Sequence, residues 1–248
     1  MRLAKILAGV VLLLGIVAGV LYVLASAVPG DYRPADLTHR QRVRVAKRFI
    51  QRVVDDFHEP AERRRRFDVV LGEDEFNAYL ASMDEIVAHL PGGDDGQVRR
   101  ALAESQLADP SVAMSAGEIA LLVRHTGYNK ILTLRLRFEL LDSGRLRVHL
   151  RGARVGRLPV PRFLVDRAVQ ALRTRAAGAI APDERSNGGS LPTGQQMRRL
   201  TARIVLAIGG EPIVPVLGLR KHKRVRLTGM DLTDKAVVLH FIPAGPEE

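Results

Sequence analysis

The side chains that could perform chemistry are dispersed along this 248-residue chain. Its seven histidines form no H-E-x-x-H pattern or other tight ligand spacing, so no zincin-type site is indicated. The sequence contains no G-x-S-x-G elbow, Walker loop or G-x-G-x-x-G fingerprint. Adjacent carboxylates, such as Asp55-Asp56 and Asp94-Asp95, point apart and make poor acid–base pairs. We therefore predict that the protein is not an enzyme and has no catalytic residue, metal or cofactor.

The chain carries an excess of positive charge, and most of that charge is arginine: Lys+Arg is 38 and Asp+Glu is 27. The candidate sites are one basic run and the outward positions of two expected strands: Arg63, Arg64, Arg65, Arg66, Arg135, Arg137, Arg145, Arg147 and Arg151. Guanidinium groups fork onto phosphate, which predicts a surface for anionic phospholipid. Ordinary solvation of a turn and of a sheet face explains the same pattern, and both interpretations stay open.

The scarcity of aromatic residues and the lack of cysteine limit which partners and which reactions are possible. With 7 Phe, 4 Tyr and no Trp, the chain lacks the stacking platforms that single-stranded nucleic acid needs, so we predict no nucleic-acid partner. The chain has no cysteine, which excludes disulfides, thiolate metal sites and a cysteine nucleophile.

The longest apolar stretch lies at the amino terminus. Residues 6–28 carry no charge, and a helix of about 20 apolar residues crosses a hydrocarbon core about 30 Å thick. We expect a single-pass anchor in the cell membrane, with residues 1–5 cytoplasmic and the main domain extracytoplasmic. The alternative is a signal peptide cleaved after Ala27, since Ala25-Ser26-Ala27 has the small residues of a cleavage site.

The rest of the chain predicts a polar spacer at residues 29–37 and one extracytoplasmic domain at residues 38–248, with a flexible loop at 181–194. Apolar residues repeat at helical spacing in several segments, and beyond residue 109 the period falls to two. Helices are expected over residues 38–57, 72–90, 98–104, from 162 onward and over 195–208. The predicted fold class is α+β, with one N-terminal transmembrane helix and then a curved antiparallel β-meander packed on several amphipathic helices.

The strands of the meander alternate sharply between apolar and polar residues. The inward positions, which form a candidate apolar groove, are Leu134, Leu136, Phe138, Leu146, Val148 and Leu150. Gly144 suits the left-handed position of a three-residue hairpin loop. After Gly152 the apolar phase slips by one residue, which indicates a β-bulge in a strand expected over residues 145–158. A long sheet with a bulge is expected to be curved, with its apolar face on the inside.

Three short motifs follow the expected anchor in a recognisable order: GEDEFNAYL at residues 72–80, DPSV at 109–112 and VGRLPVP at 155–161. This order resembles the YpmS-like group of bacterial membrane-anchored proteins of unknown function and, more distantly, LmeA-type phospholipid-binding domains. The likeness covers most of residues 1–180. It implies a curved antiparallel sheet wrapped on long helices around an apolar groove, and it implies no catalytic residues.

The functional prediction follows from the anchor, the arginines and the bulged apolar strands. We expect the domain to bind a lipid or another apolar ligand near the membrane surface. The alternative is a non-catalytic structural or interaction module of a cell-envelope assembly, with envelope proteins as partners. An envelope-modifying hydrolase would need a cleft of clustered histidines and carboxylates, which the spacing does not offer.

Overall fold

The structure is a computed structural model that describes residues 2–63, 65–89, 93–94, 96–180, 207–208, 210–218 and 224–244. Side chains are described from Leu13 onward, apart from residues 58, 61, 172, 175–180, 217 and 218. The loop predicted at 181–194 lies outside the described residues. The helix predicted at 195–208 also lies outside them, apart from Ala207 and Ile208.

The helices of the described residues are α1 (Arg2–Ser26), α2 (His39–Val53), α3 (Glu59–Glu62), α4 (Glu73–Ala81), α5 (Met83–Ala88), α6 (Gln97–Glu104) and α7 (Arg162–Ile180). Helix α2 begins where the sequence predicts, because Thr38 and Gln41 form a capping box. It continues through a π-helical turn, Val54–His58, into α3. The single helix predicted over residues 72–90 is wrong, because Ser82 leaves helical geometry at φ −107° and ψ 14° and separates α4 from α5.

Helix α1 contains most of the segment expected to cross a membrane. It is continuous over 25 residues, and its side chains from Leu13 to Leu24 are exposed. Among the described residues, no helix is found that is both long and apolar enough for a membrane crossing. The spanning role of residues 6–28 therefore stays a prediction from the sequence.

The strands are β1 (Phe67–Gly72), β2 (Leu107–Ser115), β3 (Glu118–His125), β4 (Lys130–Leu140), β5 (Leu146–Val155), β6 (Leu158–Pro159), β7 (Val216–Gly218), β8 (Arg224–Leu232) and β9 (Ala236–Ala244). Strands β2 to β6 form the predicted antiparallel meander, and the α+β class is confirmed. A second antiparallel sheet has the order β1-β9-β8-β7, and the sequence did not predict that β1 joins the C-terminal strands β8 and β9 in one sheet. The pairing of its edge strand β1 with β9 sets Phe67 opposite Phe241, far apart in the sequence, so no local pattern predicts this pairing.

The predicted phase of the meander is confirmed by its register. One face, here called the inner face, carries the predicted inward residues Leu134, Leu136, Phe138, Leu146, Val148 and Leu150. Arg135 pairs with Gly152 and Leu136 with Leu150, so Arg151 is the extra residue of a β-bulge. Gly144 has the positive φ, 71°, that the hairpin loop requires. The phase slip after Gly152 therefore has the cause that the sequence indicated.

The single strand predicted over residues 145–158 is wrong at its C-terminal end, where it includes a turn. It ends at Val155, and Gly156, at φ 58°, turns the chain back into the two-residue strand β6. Pro159 lies in that edge strand, where a missing donor is tolerated.

The core fills the space between the two sheets. Val69, Val225, Leu227 and Phe241 of the four-stranded sheet pack with Leu146 of the meander. A neighbouring cluster joins Val237 to Val112 and Met114. The second sheet thus covers the part of the inner face that lies nearest the β4–β5 turn and strand β2.

The predicted spacer is packed against the meander on the face opposite the core. Tyr32 lies on a cluster of Ala120, Leu122 and Ile131. Its hydroxyl donates to the carbonyl oxygen of Asp109 at 3.0 Å. Partial burial and the neighbouring Asp109 raise the pKa of Tyr32, so the ring stays a neutral donor. This contact fixes the path of the chain directly after α1.

Candidate functional site

The candidate site lies where the four-stranded sheet leaves the inner face and α7 takes its place. Pro159 and Pro161 end the short edge strand, and proline suits the start of a helix. The first turn of α7 is closed by the amide of Leu164, which donates to the carbonyl oxygen of Pro161 at 3.0 Å. The helix then lies across β4 and β5, with most of its described side chains exposed.

Helix α7 and the meander enclose a pocket that we call the α7 groove. Its volume is about 200 Å³. Its lining is apolar and comprises Leu134, Leu150, Ala153, Val160, Leu164, Val165, Ala168, Val169 and Ile208. At the mouth Leu164 is 45% exposed, and the preceding Phe163 is 69% exposed. The arrangement can accept an apolar chain segment without any polar partner.

A second pocket, here called the arginine cleft, adjoins the α7 groove and has a volume of about 580 Å³. The two pockets are adjacent, since Leu150, Ala153, Val160 and Val165 line both of them. The charged residues of the cleft are Arg135, Arg151, Arg154, Arg162, Glu118 and Asp166. The cleft lies at the bulge, where the edge of β5 is open because β6 pairs only with Arg154 and Val155.

The cleft has more positive than negative charge, with four arginines against two carboxylates. Glu118 is shared: its Oε1 lies 3.7 Å from Nε of Arg151, and its Oε2 lies 4.0 Å from Nη1 of Arg135. Nε of Arg135 is buried and has no hydrogen-bond partner among the residues that the structure describes. No ion pair of Arg154 or Arg162 is found within the described residues. An anion entering the cleft would therefore meet four guanidinium groups that two carboxylates only partly neutralise.

The predicted groove residues have separate positions along the inner face. Leu134 and Leu150 line the α7 groove. Leu136 and Val148 are buried and pack with Ala207. The remaining two, Phe138 and Leu146, pack in the core between the sheets. The groove is thus a local opening at one end of the inner face, and the rest of that face is core.

The predicted arginines are not gathered into one surface. Arg135 and Arg151 line the cleft. Arg137 and Arg147 flank Glu139, whose pKa is held below its ordinary value mainly by a 2.8 Å hydrogen bond from His149. Arg145 lies exposed beside the β4–β5 turn.

The basic run lies apart from the cleft, directly before β1. Arg63 pairs with Glu59 at 3.5 Å, and Arg65 and Arg66 are exposed. Arg64 lies outside the described residues. The following residue, Phe67, joins the core cluster that contains Leu146, so the run lies toward the β4–β5 end of the meander.

Sequence reasoning missed Arg162 and Asp166 as members of the site. Both lie at the start of α7, and only the crossing of α7 over the meander brings them to the bulge. The VGRLPVP motif was the available signal, since its two prolines predict that a helix begins directly after it.

A separate cluster on the four-stranded sheet joins one histidine to two carboxylates. Nε2 of His240 donates to Asp231 at 2.8 Å, and Nδ1 donates to Asp68 at 2.7 Å. These hydrogen bonds, the one to Asp231 first, raise the pKa of His240 above 6.5. Both ring nitrogens face carboxylate oxygens, so the protonated ring bridges β1, β8 and β9.

We expect this cluster to make stability fall as the pH rises. A raised folded-state pKa gives stability that is fully present below the unfolded pKa of about 6.5 and is lost as the pH passes the folded value. Melting temperatures measured between about pH 5 and pH 8 should therefore decline. His240→Gln should remove the part of the decline in melting temperature that this cluster causes. His125 has no carboxylate partner among the described residues, so His125→Gln should leave the decline unchanged. An unchanged pH profile in His240→Gln would contradict the assignment.

Comparison with protein-family models, with curated proteins and with solved structures finds no match to this chain. The functional assignment therefore rests on the geometry of the α7 groove and the arginine cleft.

Proposed function

We propose that this protein is a membrane-anchored extracytoplasmic domain that binds an anionic phospholipid, with acyl carbons in the α7 groove and the headgroup in the arginine cleft. The observation that supports the proposal is that an apolar pocket and a basic pocket lie side by side and share four lining residues. An amphiphile has the same division into an apolar and a charged part. The uncharged segment at residues 6–28 supports the anchor.

The sizes of the two pockets suit partial capture of a lipid. The arginine cleft, at about 580 Å³, falls in the usual range for ligand sites of about 300–1,000 Å³, and the α7 groove, at about 200 Å³, lies below it. The groove therefore holds a segment of an acyl chain, and each buried methylene contributes about 0.8 kcal/mol. Arginine–phosphate hydrogen bonds are charge-assisted and add orientation.

The position of α1 supports the same proposal. The amide of Arg157 donates to the carbonyl oxygen of Leu24 at 2.8 Å, and the amide of Gly156 donates to Ile131 at 2.7 Å. Leu134 of the groove lies three residues beyond Ile131, about 10 Å along the strand. With α1 in the bilayer, the groove therefore lies within the reach of a lipid that is partly lifted from the membrane.

Filling the groove tests the proposal. The full chain is reconstituted in vesicles that contain phosphatidylglycerol with a photoreactive acyl chain, and cross-linked peptides are mapped. We expect cross-links in β4, β5 and α7, and we expect Ala153→Phe to reduce them at least several-fold. Ala171→Phe places the same side chain on an exposed position of α7 outside the groove lining and should keep them. Cross-links that are absent in the unmodified chain, or unaffected by Ala153→Phe, would reject the groove.

The headgroup half of the proposal has its own measurement. Arg151→Gln should reduce the ratio of the affinities for phosphatidylglycerol and phosphatidylcholine by about tenfold. The reason is that a hydrogen bond to a charged group contributes about 1.5–3 kcal/mol. Arg147→Gln changes an arginine of the same strand outside the cleft and should leave the preference intact. Equal loss in both variants would indicate a general charge effect instead of a headgroup site.

One observation favours a second candidate, a non-catalytic interaction module of a cell-envelope assembly. Phe163 is 69% exposed beside the groove, and a partner protein could cover it. In that case the acyl cross-links would be missing, and proximity labelling from α7 would return the same protein partner in Ala171→Phe and lose it in Phe163→Ala.

A further inference from the structure

We propose that the end of the meander that holds α1 is a membrane-contact surface, built from Tyr22, Tyr128, Lys130 and Arg157, which sits in the headgroup layer of the bilayer. We call it the docking end. The proposal rests on the membrane anchor proposed above and goes beyond it, because it assigns an orientation and a bilayer contact to the folded domain itself.

The C-terminal end of α1 is bound directly by the turn between β5 and β6. The last carbonyls of a helix lack partners within the helix, and here the amide of Arg157 supplies one to Leu24 at 2.8 Å. Gly156 permits the approach, since a Cβ at that position would lie 2.5 Å from the carbonyl oxygen of Ala25. The helix is therefore docked on the domain, and it is not a free tether.

Lys130, the first residue of β4, makes the second contact to α1. Its ammonium group lies 4.6 Å from the centroid of the Tyr22 ring and donates to Oγ of Ser26. A cation over an aromatic face is attracted by the ring quadrupole. The Tyr22 ring itself remains 69% exposed, one turn before the end of α1. Tyrosine at this position is typical of a membrane–water interface.

Tyr128, at the tip of the β3–β4 hairpin, is 75% exposed although the loop that carries it is well held. The amide of Thr126 donates to the carbonyl oxygen of Gln106 at 2.8 Å, and the Tyr128 ring lies 4.8 Å from the ring of His125. Gly127 lies so close to Gln106 that a Cβ would be 2.4 Å from its Oε1. A large ring fixed outside the fold suits an interface with one apolar and one wet side.

The charges of the docking end suit an anionic bilayer. The two tips, residues 126–130 and 156–157, contain Lys130 and Arg157 and no acidic residue. Both tips lie at the end of the meander where α1 is bound. Cations at that level are attracted to the negative surface of a membrane that contains anionic lipids.

The chain has no tryptophan, so a single introduced tryptophan reports its own environment. Three full-length variants are reconstituted in phosphatidylcholine vesicles with a minority of phosphatidylglycerol, to which phosphatidylcholine brominated at a shallow or a deep acyl position is added. Tyr128→Trp tests the docking end, and Leu13→Trp tests the anchor. Ser143→Trp, in the β4–β5 turn about 30 Å away along the strands, is the control.

We expect shallow bromines to quench Tyr128→Trp at least twofold more than Ser143→Trp, and deep bromines to quench Leu13→Trp. Quenching of Leu13→Trp together with equal, weak quenching of Tyr128→Trp and Ser143→Trp would overturn the docking end and leave the anchor standing. Absence of quenching in Leu13→Trp would overturn the anchor and the docking end with it.

Discussion

Asn77→Leu is expected to lower the free energy of unfolding by about 2–6 kcal/mol, because it leaves two buried backbone groups without partners at about 1–3 kcal/mol each. Asn77 is 4% exposed, and its side chain reproduces the pairing of a missing strand. Nδ2 donates to the carbonyl oxygen of Val112 at 3.0 Å, and Oδ1 accepts from the Val112 amide at 2.7 Å. Leucine fills a similar volume and offers neither group.

The loss of these two hydrogen bonds matters because β2 is an edge strand of the meander. Glu73 of the same helix accepts from the Met114 amide at 2.5 Å, and Asp234 accepts from the Ala116 amide at 3.1 Å. Side chains thus satisfy much of the strand edge that would otherwise pair with another chain. We therefore expect Asn77→Leu to increase aggregation as well as to lower stability.

Urea unfolding followed by circular dichroism measures the effect of Asn77→Leu. Asp74→Leu introduces leucine at an exposed position of the same helix and should change stability by less than about 1 kcal/mol, the upper size of a surface helix-dipole effect. Similar losses in the two variants would contradict the specific role of Asn77.

Local patterns predicted those parts of the fold whose cause lies within a few residues. Thr38 and Gln41 form a capping box three residues apart, and Gly144 supplies the positive φ of its own loop. The bulge at Arg151–Gly152 is visible as a slip in the apolar phase of one strand. Each of these signals is read directly from neighbouring residue types.

Features that depend on distant segments had no such signal. The pairing of β1 with β9 joins residues 67–72 to residues 236–241, and many strand sequences would pair as well. For the same reason the sequence assigned six inward residues to one groove, although the second sheet and Ala207 bury most of them. Periodicity identifies the apolar face, but only the partner elements determine which part of it stays open.

The candidate site shows the same division. Arg135, Arg151, Leu134 and Leu150 could be chosen because strand alternation fixes their faces. Arg162 and Asp166 could not be chosen from the sequence, because only the path of α7 across the meander brings them to the cleft. The end of β5 at Val155 was missed because Gly156 was treated as part of a strand, whereas its neighbour in space is α1.

Gly156→Ala is expected to release α1 from the domain, whereas Gly144→Ala is expected only to strain its own loop. The two glycines have similar positive φ values, 58° and 71°, so alanine costs each about 1–2 kcal/mol of backbone strain. At Gly144 a Cβ would meet nothing within 4 Å. At Gly156 it would lie 2.5–2.7 Å from the carbonyl oxygens of Leu24, Ala25 and Ala27, which belong to backbone that must move away.

The absence of native cysteines allows a direct measurement of this release. Ser26→Cys and Lys130→Cys replace two side chains that touch across the joint between α1 and β4. Because Lys130 reaches Ser26 only with the end of its long side chain, a short bis-maleimide is used to join the two thiols. It should cross-link the pair readily in the otherwise unmodified chain and in Gly144→Ala, and at least several-fold more slowly in Gly156→Ala. Gly156→Ala should also lose more stability than Gly144→Ala. Equal rates of cross-linking in the two glycine variants would show that α1 is held to the domain by contacts other than the turn at Gly156.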